Sequence, residues 1–527
     1  MEEVKQTKLK MAKLKIITAF ENNKALLLKS LLFTFVLGLI AHGYMYFNNA
    51  ISLDAMGEFI DDKEVTSHKI GIGRIFLPLY HTLVRGKMVL PYLTGLLSLL
   101  WIGLSVFLVC KIFDIKSNLF IFITACIFTL NLTVIVMTCA FLNDIDGNLL
   151  ALFFSVLSAF VWRRYKYGYL FAVLPLTISL GLYQSYVSVT MVIMLMCFIL
   201  DLLKGANFKE TIISGLKACL TYLITAIIFV IALKVTCLIY GVGLSKGMYN
   251  SLDVLENVTI TKLFYTAIWA YGYVIKRFIS PVSLISNVVV VGLNGLLVLM
   301  TLVCLVRYII NKKIKAKELI LAVILLLVIP IAVSFTTIIS SVVREYMYYS
   351  ICLFYLFILL LLRLSVQDFG TNKAQIFICC KKTSFIIVAF LMLSNIVLSN
   401  TAYTTKVFQK DANVSFMTRV VSDIEEVEGY KVGETEIVFF GLPKTQIVSN
   451  ENFDDVKEVW GMQYDYFVYG SGYIKMFFNL YLMYPANIVD ESVIKDETAV
   501  QEIKNMPSYP SEGSIKMIDG RVVVKFE

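Results

Sequence analysis

Eleven apolar runs, most of them near 20 residues long, occupy the first 400 residues and restrict this chain more than any motif does. About 20 apolar residues in a helix span the ~30 Å hydrocarbon core of a bilayer, so runs of this length predict transmembrane helices. They fall at 26–47, 88–110, 117–140, 147–162, 168–183, 186–203, 215–240, 284–309, 318–340, 346–364 and 383–400. With 58% hydrophobic and 16% charged residues, the chain is also poorer in charge than soluble domains, which carry roughly 25%. The fold class expected is mostly α: a polytopic membrane helix bundle of about 11 transmembrane helices with a small extracytoplasmic α/β C-terminal domain.

Charge sets the expected orientation. Residues 1–29 carry seven lysines ahead of an apolar run with no cleavage signal, which predicts a cytoplasmic N-terminus over 1–25 and a retained first helix. The membrane domain is then 26–400, with outer loops at 48–87 and 241–283. Loops 141–146 and 184–185 lack Lys and Arg and fall outside, whereas RRYKY (163–167) and the Lys312–Lys317 loop fall inside. The run 168–203 is one apolar stretch. Two short crossings turning at Leu182–Tyr186 keep RRYKY and Lys204 on the same side, so a hairpin is expected. His68–Lys87 and Lys262–Arg277 read as interfacial helices, the first amphipathic and the second rich in aromatic residues.

Beyond Asn400 the composition changes. Residues 401–527 hold 12 Lys/Arg against 20 Asp/Glu and no cysteine. They predict an extracytoplasmic α/β domain with a helix over Phe408–Val427, a buried strand at Glu436–Phe440, a helix at Tyr473–Met483 and a closing strand at Arg521–Phe526. Its acidity excludes nucleic acid as a partner.

The chain has no Walker loop, dinucleotide glycine pattern, metal-ligand Cys/His spacing or nucleophile elbow. The longest inner segment is the N-terminus, which leaves no domain for a sugar nucleotide. Polar groups collect instead on the outer face: Asp54, Glu58, Asp61, Asp62 and Arg74 in the first loop, Asp144 and Asp146 in the second, the Tyr183–Gln184–Ser185–Tyr186 apex, and Arg344–Glu345. Carboxylates beside an arginine at a membrane surface suit glycosyl transfer from a lipid phosphate. A phosphate leaving group needs no general acid, so one carboxylate base suffices, and an arginine fork stabilises the departing charge. Helix capping by Asp144 and Asp146, backbone satisfaction by Gln184, and a local Arg344–Glu345 pair are the competing structural explanations.

LDAMGEF, GRIFLPLYHTLVRGKMVLPYLTGLLSLLW, NDIDGNLLALFF and SLGLYQSYVS, in this order, resemble the bacterial glucosyltransferase II family. The resemblance runs over about residues 25–400. It implies a GT-C-type membrane glycosyltransferase of the bacterial cell membrane that takes a hexose, glucose in the family's members, from a polyprenyl-phosphate sugar donor. The hexose passes to a surface glycan acceptor with inversion. The resemblance implies Asp54 as general base, with Asp144 and Asp146 on sugar hydroxyls and Tyr183, Gln184 and Tyr186 in the family's QSY segment. Arg344 is assigned to phosphate on topology and charge, and Arg74 faces the lipid phosphate. Related sequences often place His or Asp beside the first-loop Asp; Leu53 stands there in this chain, which leaves Glu58, Asp61 or Asp62 as alternative bases. No cofactor follows from the sequence, and metal dependence stays open. Asp61–Asp62 is the candidate for a divalent cation, Mg²⁺ or Mn²⁺, although two adjacent carboxylates make a poor site. A membrane transporter, or a flippase or polymerase of envelope polysaccharide, is the alternative. Transporters commonly carry internal repeats and mid-membrane charges, and neither is evident here.

Overall fold

The computed structural model describes residues 2–57, 62–86, 88–246, 259–335, 344–366, 375–443, 456–462, 466–467 and 470–526; the side chains of 2–22, Asp54 and Asp62 are outside this description. In chain order the helices before the loop at 183 are α1 (Glu2–Phe47), α2 (Leu53–Met56), α3 (Asp62–Gly71), α4 (Leu77–Val84), α5 (Pro91–Ile112), α6 (Asn118–Thr129), α7 (Leu132–Ala140), α8 (Ile145–Arg164), α9 (Gly168–Phe171) and α10 (Val173–Leu182). After it come α11 (Val187–Leu203), α12 (Phe208–Tyr240), α13 (Ile260–Ile279), α14 (Asn287–Lys312), α15 (Ala316–Val333), α16 (Leu353–Val366), α17 (Gln375–Glu425), α18 (Ser471–Phe477) and α19 (Glu497–Asn505).

Among the described residues ten helices are long and apolar enough to cross a membrane, and Gly168–Leu182 is a shorter apolar one. The chain is a multi-pass membrane protein. The expected segments appear, 318–340 only as far as residue 335 because 336–340 lie outside the described residues, and 168–203 is broken where Tyr183 adopts extended backbone (φ −156°, ψ 110°), with α9 and α10 before it and α11 after it. The expected helix 117–140 is divided at Asn131, whose side chain accepts from the Val134 N–H at 3.2 Å and starts α7. Packing runs α1 on α5, α5 on α8 and α8 on α10, with α11 on α15 and α14 on α16. The exposed rows of α12 and α15 are leucine, isoleucine and valine, as a lipid-facing surface requires.

Two expectations change. Composition marks Asn400 as the end of a membrane helix, yet α17, 51 residues from Gln375 to Glu425, runs past it without a break. Glycine and proline are both missing from Gln375 to Glu425, so nothing local stops it. Secondly, His68–Lys87 is not one helix lying at the surface. Gly73 (φ 86°) ends α3, with the Arg74 N–H donating to the Lys69 carbonyl at 2.8 Å, a left-handed helix stop. The segment then re-enters as α4. Ile70, Ile72, Ile75 and Leu77 are buried, and so are Lys69, His81 and Arg85.

The C-terminal part forms a four-stranded sheet of order β2-β1-β4-β3, from β1 (Glu436–Phe440), β2 (Asn487–Val489), β3 (Ile515–Ile518) and β4 (Arg521–Lys525). β1 is parallel to β2 and β4, and β3 pairs antiparallel with β4 across an Asp519–Gly520 turn with both φ positive. One sheet face, with Ile437, Phe439, Val522 and Val524, packs on Met417, Val420 and Ile424 at the end of α17. The other, with Val438 and Val523, packs on Ala499 and Ile503 of α19. The first core also takes in Ile51, Leu53, Ala55 and Met56. Thus α2, in the first loop of the membrane domain, is part of the hydrophobic core of the C-terminal domain.

Candidate active site

α8 begins at the end of the bundle where the first loop returns, and its N-terminus carries Asp144 and Asp146. Asp144 occupies the N-cap position but makes no capping hydrogen bond. Its carboxylate instead receives Lys69 Nζ at 2.8 Å on Oδ1 and Arg74 Nη1 at 3.2 Å on Oδ2. Asp146 lies 3.5 Å from Arg85 Nε. His81 Nε2 stands between them, 3.8 Å from Asp144 Oδ1 and 4.0 Å from Asp146 Oδ1, and forms no hydrogen bond at those distances. The capping explanation therefore does not describe Asp144; an ion cluster does.

The cluster is assembled by backbone geometry. The Schellman-type stop at Gly73 turns Lys69 and Arg74 to the same carboxylate. Gly147 lets α4 lie on the start of α8, since a Cβ there would fall 2.2 Å from Leu77 Cδ1. Arg85 donates to the Asn143 carbonyl and to the Met88 carbonyl, which ties α4 to the segment ahead of α8. On the other side of that segment Ser52 Oγ donates to the Ala140 carbonyl, and Tyr481 Oη donates to the Ile51 carbonyl at 2.9 Å. The connection from Ala140 to Asp144 is thus held between α2 and the basic cluster.

The electrostatics are one-sided. Burial alone would raise the carboxyl of Asp144, but Lys69 and Arg74 outweigh it and hold it well below the ordinary carboxylate range. His81 is pushed down to about 2, first by burial and then by Lys69, Arg85 and Arg74, against the opposing pull of Asp144. It is neutral at physiological pH. Among the described residues the cluster therefore holds three cations, Lys69, Arg74 and Arg85, against two carboxylates. Such a site favours an additional anion rather than a cation.

The remaining expected residues divide. Arg74 is packed over the Tyr183 ring at 4.8 Å, so Tyr183 joins the cluster. Gln184 Nε2 donates to the Ile72 carbonyl at 2.8 Å, securing the same turn through backbone satisfaction. Tyr186 is turned into the bundle, its hydroxyl 3.1 Å from Met137 Sδ. Arg344 lies over the Trp460 ring at 4.0 Å, while Glu345 pairs with Arg277, so the local Arg344–Glu345 pair of the competing explanation does not form. Asp54 lies on α2, but its side chain is outside the described residues; so are Glu58, Asp61 and the side chain of Asp62. Among the described residues no three His, Cys, Asp or Glu side chains gather as metal ligands.

Sequence reasoning missed Lys69, His81 and Arg85. Their signal was present in the alternation of apolar and basic residues over 68–87. A helix surrounded by lipid and protein turns its polar row inward, the reverse of a surface helix.

Residues 43–361 match the sequence profile of the family described as Glucosyl transferase GtrII. The chain belongs to this glucosyl transferase family. The matched region begins in α1, ends in α16 and contains the entire Asp144 cluster together with α2. The transferase shows no significant similarity to any curated protein or solved structure. Family membership makes it a glycosyltransferase acting on a sugar donor and an acceptor, and favours that role over the transporter or flippase alternative.

Proposed function

We propose that the transferase moves a glucosyl unit from a polyprenyl-phosphate donor to a surface glycan at the Asp144 end of the bundle, which lies outside the cytoplasm of a bacterial cell. The observation that carries this reading is the excess of cations over carboxylates in the Asp144 cluster, counted among the described residues and set directly beside the segment that bears Asp54. Arg74 offers the donor phosphate a guanidinium backed by Tyr183, and Lys69 adds a second positive charge. Asp144 orients both cations while remaining ionised.

In this scheme the acceptor hydroxyl loses its proton to Asp54 as its oxygen bonds to the anomeric carbon. The bond from that carbon to the phosphate oxygen breaks on the opposite face, and the electron pair leaves with the phosphate. A single displacement inverts the anomeric centre. The growing charge on the leaving phosphate is met by Arg74, a fork suited to phosphate oxygens. Asp146 and Arg85 hold the α8 start in place, and Asp144 and Asp146 are the residues assigned to sugar hydroxyls. Glu58, Asp61 and Asp62 remain the alternative bases, and Arg344 a second phosphate ligand.

The test uses purified full-length protein with polyprenyl-phosphate glucose and a glycan acceptor. Asp54→Asn is expected to lower kcat by about 10²–10⁴-fold, the usual contribution of a general base. An Asp54→Asn enzyme with unchanged kcat removes Asp54 from this role. Transfer from a sugar nucleotide but from no lipid-linked sugar overturns the donor assignment.

A further inference from the structure

At the end of the bundle opposite Asp144, a cleft of about 530 Å³ opens between the start of α6, the end of α16 and the start of α17. Its volume is in the ~300–1,000 Å³ range of small-molecule sites. Among the described residues Lys116, Arg363, Lys381 and Lys382 line it, with Asp114 as the one carboxylate and Leu119, Phe120 and Phe385 as apolar wall. Asp114 is already matched by Lys116 at 3.2 Å. Arg363 is fixed rather than free to swing: Nη2 donates to the Phe113 carbonyl at 2.8 Å and Nη1 to the Asp114 carbonyl at 3.1 Å. Among the described residues no carboxylate forms an ion pair with Arg363, Lys381 or Lys382.

The adjoining cleft shows the contrast. It shares Asp114 and Arg363, but there Arg163 is paired with Asp201, Nη2 to Oδ1 at 2.8 Å. Among the described residues the adjoining cleft sets Arg163, Lys204 and Arg363 against Asp114 and Asp201, whereas the first sets Lys116, Arg363, Lys381 and Lys382 against Asp114 alone, so its positive excess is the larger. The N-terminus of α6 at its rim adds to the field in the same sense.

Outside the cleft, Lys382 lies on a row of α17 formed by Ile378, Lys382, Ile386 and Phe390, four residues apart. Its three apolar members are exposed, as is Leu119 on the facing helix. A basic cleft continued by a lipid-facing apolar row has the two-part chemistry of a phospholipid: phosphate at the mouth, acyl chains along the helix. We infer that this cleft binds the phosphate headgroup of an anionic phospholipid, seated between Arg363, Lys381 and Lys382 with its chains against Ile386 and Phe390. The site is separate from the transfer chemistry and does not rest on it.

Native mass spectrometry of the detergent-purified full chain tests this with phosphatidylglycerol, phosphatidylcholine and inorganic phosphate as separate additions. The wild type is expected to retain phosphatidylglycerol in preference to phosphatidylcholine. Lys381→Gln with Lys382→Gln is expected to weaken phosphatidylglycerol binding by about 30-fold, at about one kcal/mol per basic residue. Lys381→Arg with Lys382→Arg, and the control Lys317→Gln at the same end, are expected to bind within about twofold of wild type by the same reasoning. The inference is overturned by equal retention of the two lipids or by an unaffected glutamine pair. Displacement of the lipid by equimolar inorganic phosphate also overturns it, since the cleft would then be a site for the free ion.

Discussion

The two ends of the helix bundle handle charge in opposite ways. At one end Lys69, Arg74, His81, Arg85, Asp144 and Asp146 are packed together, and Asp144 and Asp146 are almost wholly out of solvent. At the other, Lys381 and Lys382 stand at an open cleft where, among the described residues, Asp114 is paired with Lys116 rather than with either of them. A buried ion must be paired within the protein, because no solvent is available to stabilise it. A cation at the bilayer surface has water and lipid phosphate as partners. The comparison therefore teaches that the first set of charges is fixed by the fold before any ligand arrives, while the second depends on what lies outside the protein for its partners.

The strongest way to break that contrast is to remove the acid at the centre of the buried set. Asp144→Ala leaves Lys69 and Arg74 without their shared partner and is expected to cost about 3–5 kcal/mol. Thermal unfolding in detergent would register it. Pairing Asp144→Leu with Lys69→Met should recover much of the loss, and a double variant as unstable as the single one would show that the pair is not the source.

A second effect comes from pH. His81 is neutral in the folded protein and ionises only near pH 2, against an ordinary 6.5. As pH falls below 6.5 the unfolded chain takes up a proton that the folded chain refuses. Stability therefore decreases with acidification, by up to about 1.4 kcal/mol per pH unit for this one group. Asp144, whose carboxyl is depressed, adds to the loss only below its ordinary value of 3.8. Asp146 works the other way: burial raises its carboxyl to about 6, so between about pH 6 and 3.8 the folded chain takes up a proton that the unfolded chain does not, which offsets His81. His81→Gln should therefore leave stability rising on acidification between pH 6 and 4, apart from a share from exposed His68, whose titration desolvation also lowers. An unchanged slope would mean that His81 takes up its proton without hindrance.

Arg74→Lys keeps the charge but loses the fork and the packing on Tyr183. A change of about 1–2 kcal/mol is expected, read as a rise in KM for the lipid-linked donor. The smallest effect sharpens the other side: Lys382→Gln at the open cleft should alter unfolding by less than about 0.5 kcal/mol.

The membrane segments were legible because apolar length is a local property that one run of sequence contains by itself. So were EIVFF and RVVVKF, which became β1 and β4, with β1 between two parallel neighbours. What the sequence concealed was direction. The same alternation describes a helix with its basic row facing water and one with that row facing Asp144; only the packing of α4 on α8 decides. The docking of α2 was equally hidden, because LDAM is too short to announce a partner more than 350 residues away. Of the expected site, Arg74, Asp144, Asp146 and Tyr183 come together, whereas Tyr186 and Arg344 have other neighbours.

The uninterrupted helix α17 has a geometric consequence. Each residue of an α-helix advances the chain by ~1.5 Å and turns it by about 100°. The sheet of the C-terminal domain is seated on the last turns of α17, while its first turns line the basic cleft at the far end of the bundle. The helix is therefore a shaft that sets the angle at which the C-terminal domain presents its core to α2. Its length in residues is as much a determinant of that angle as the identity of the side chains along it.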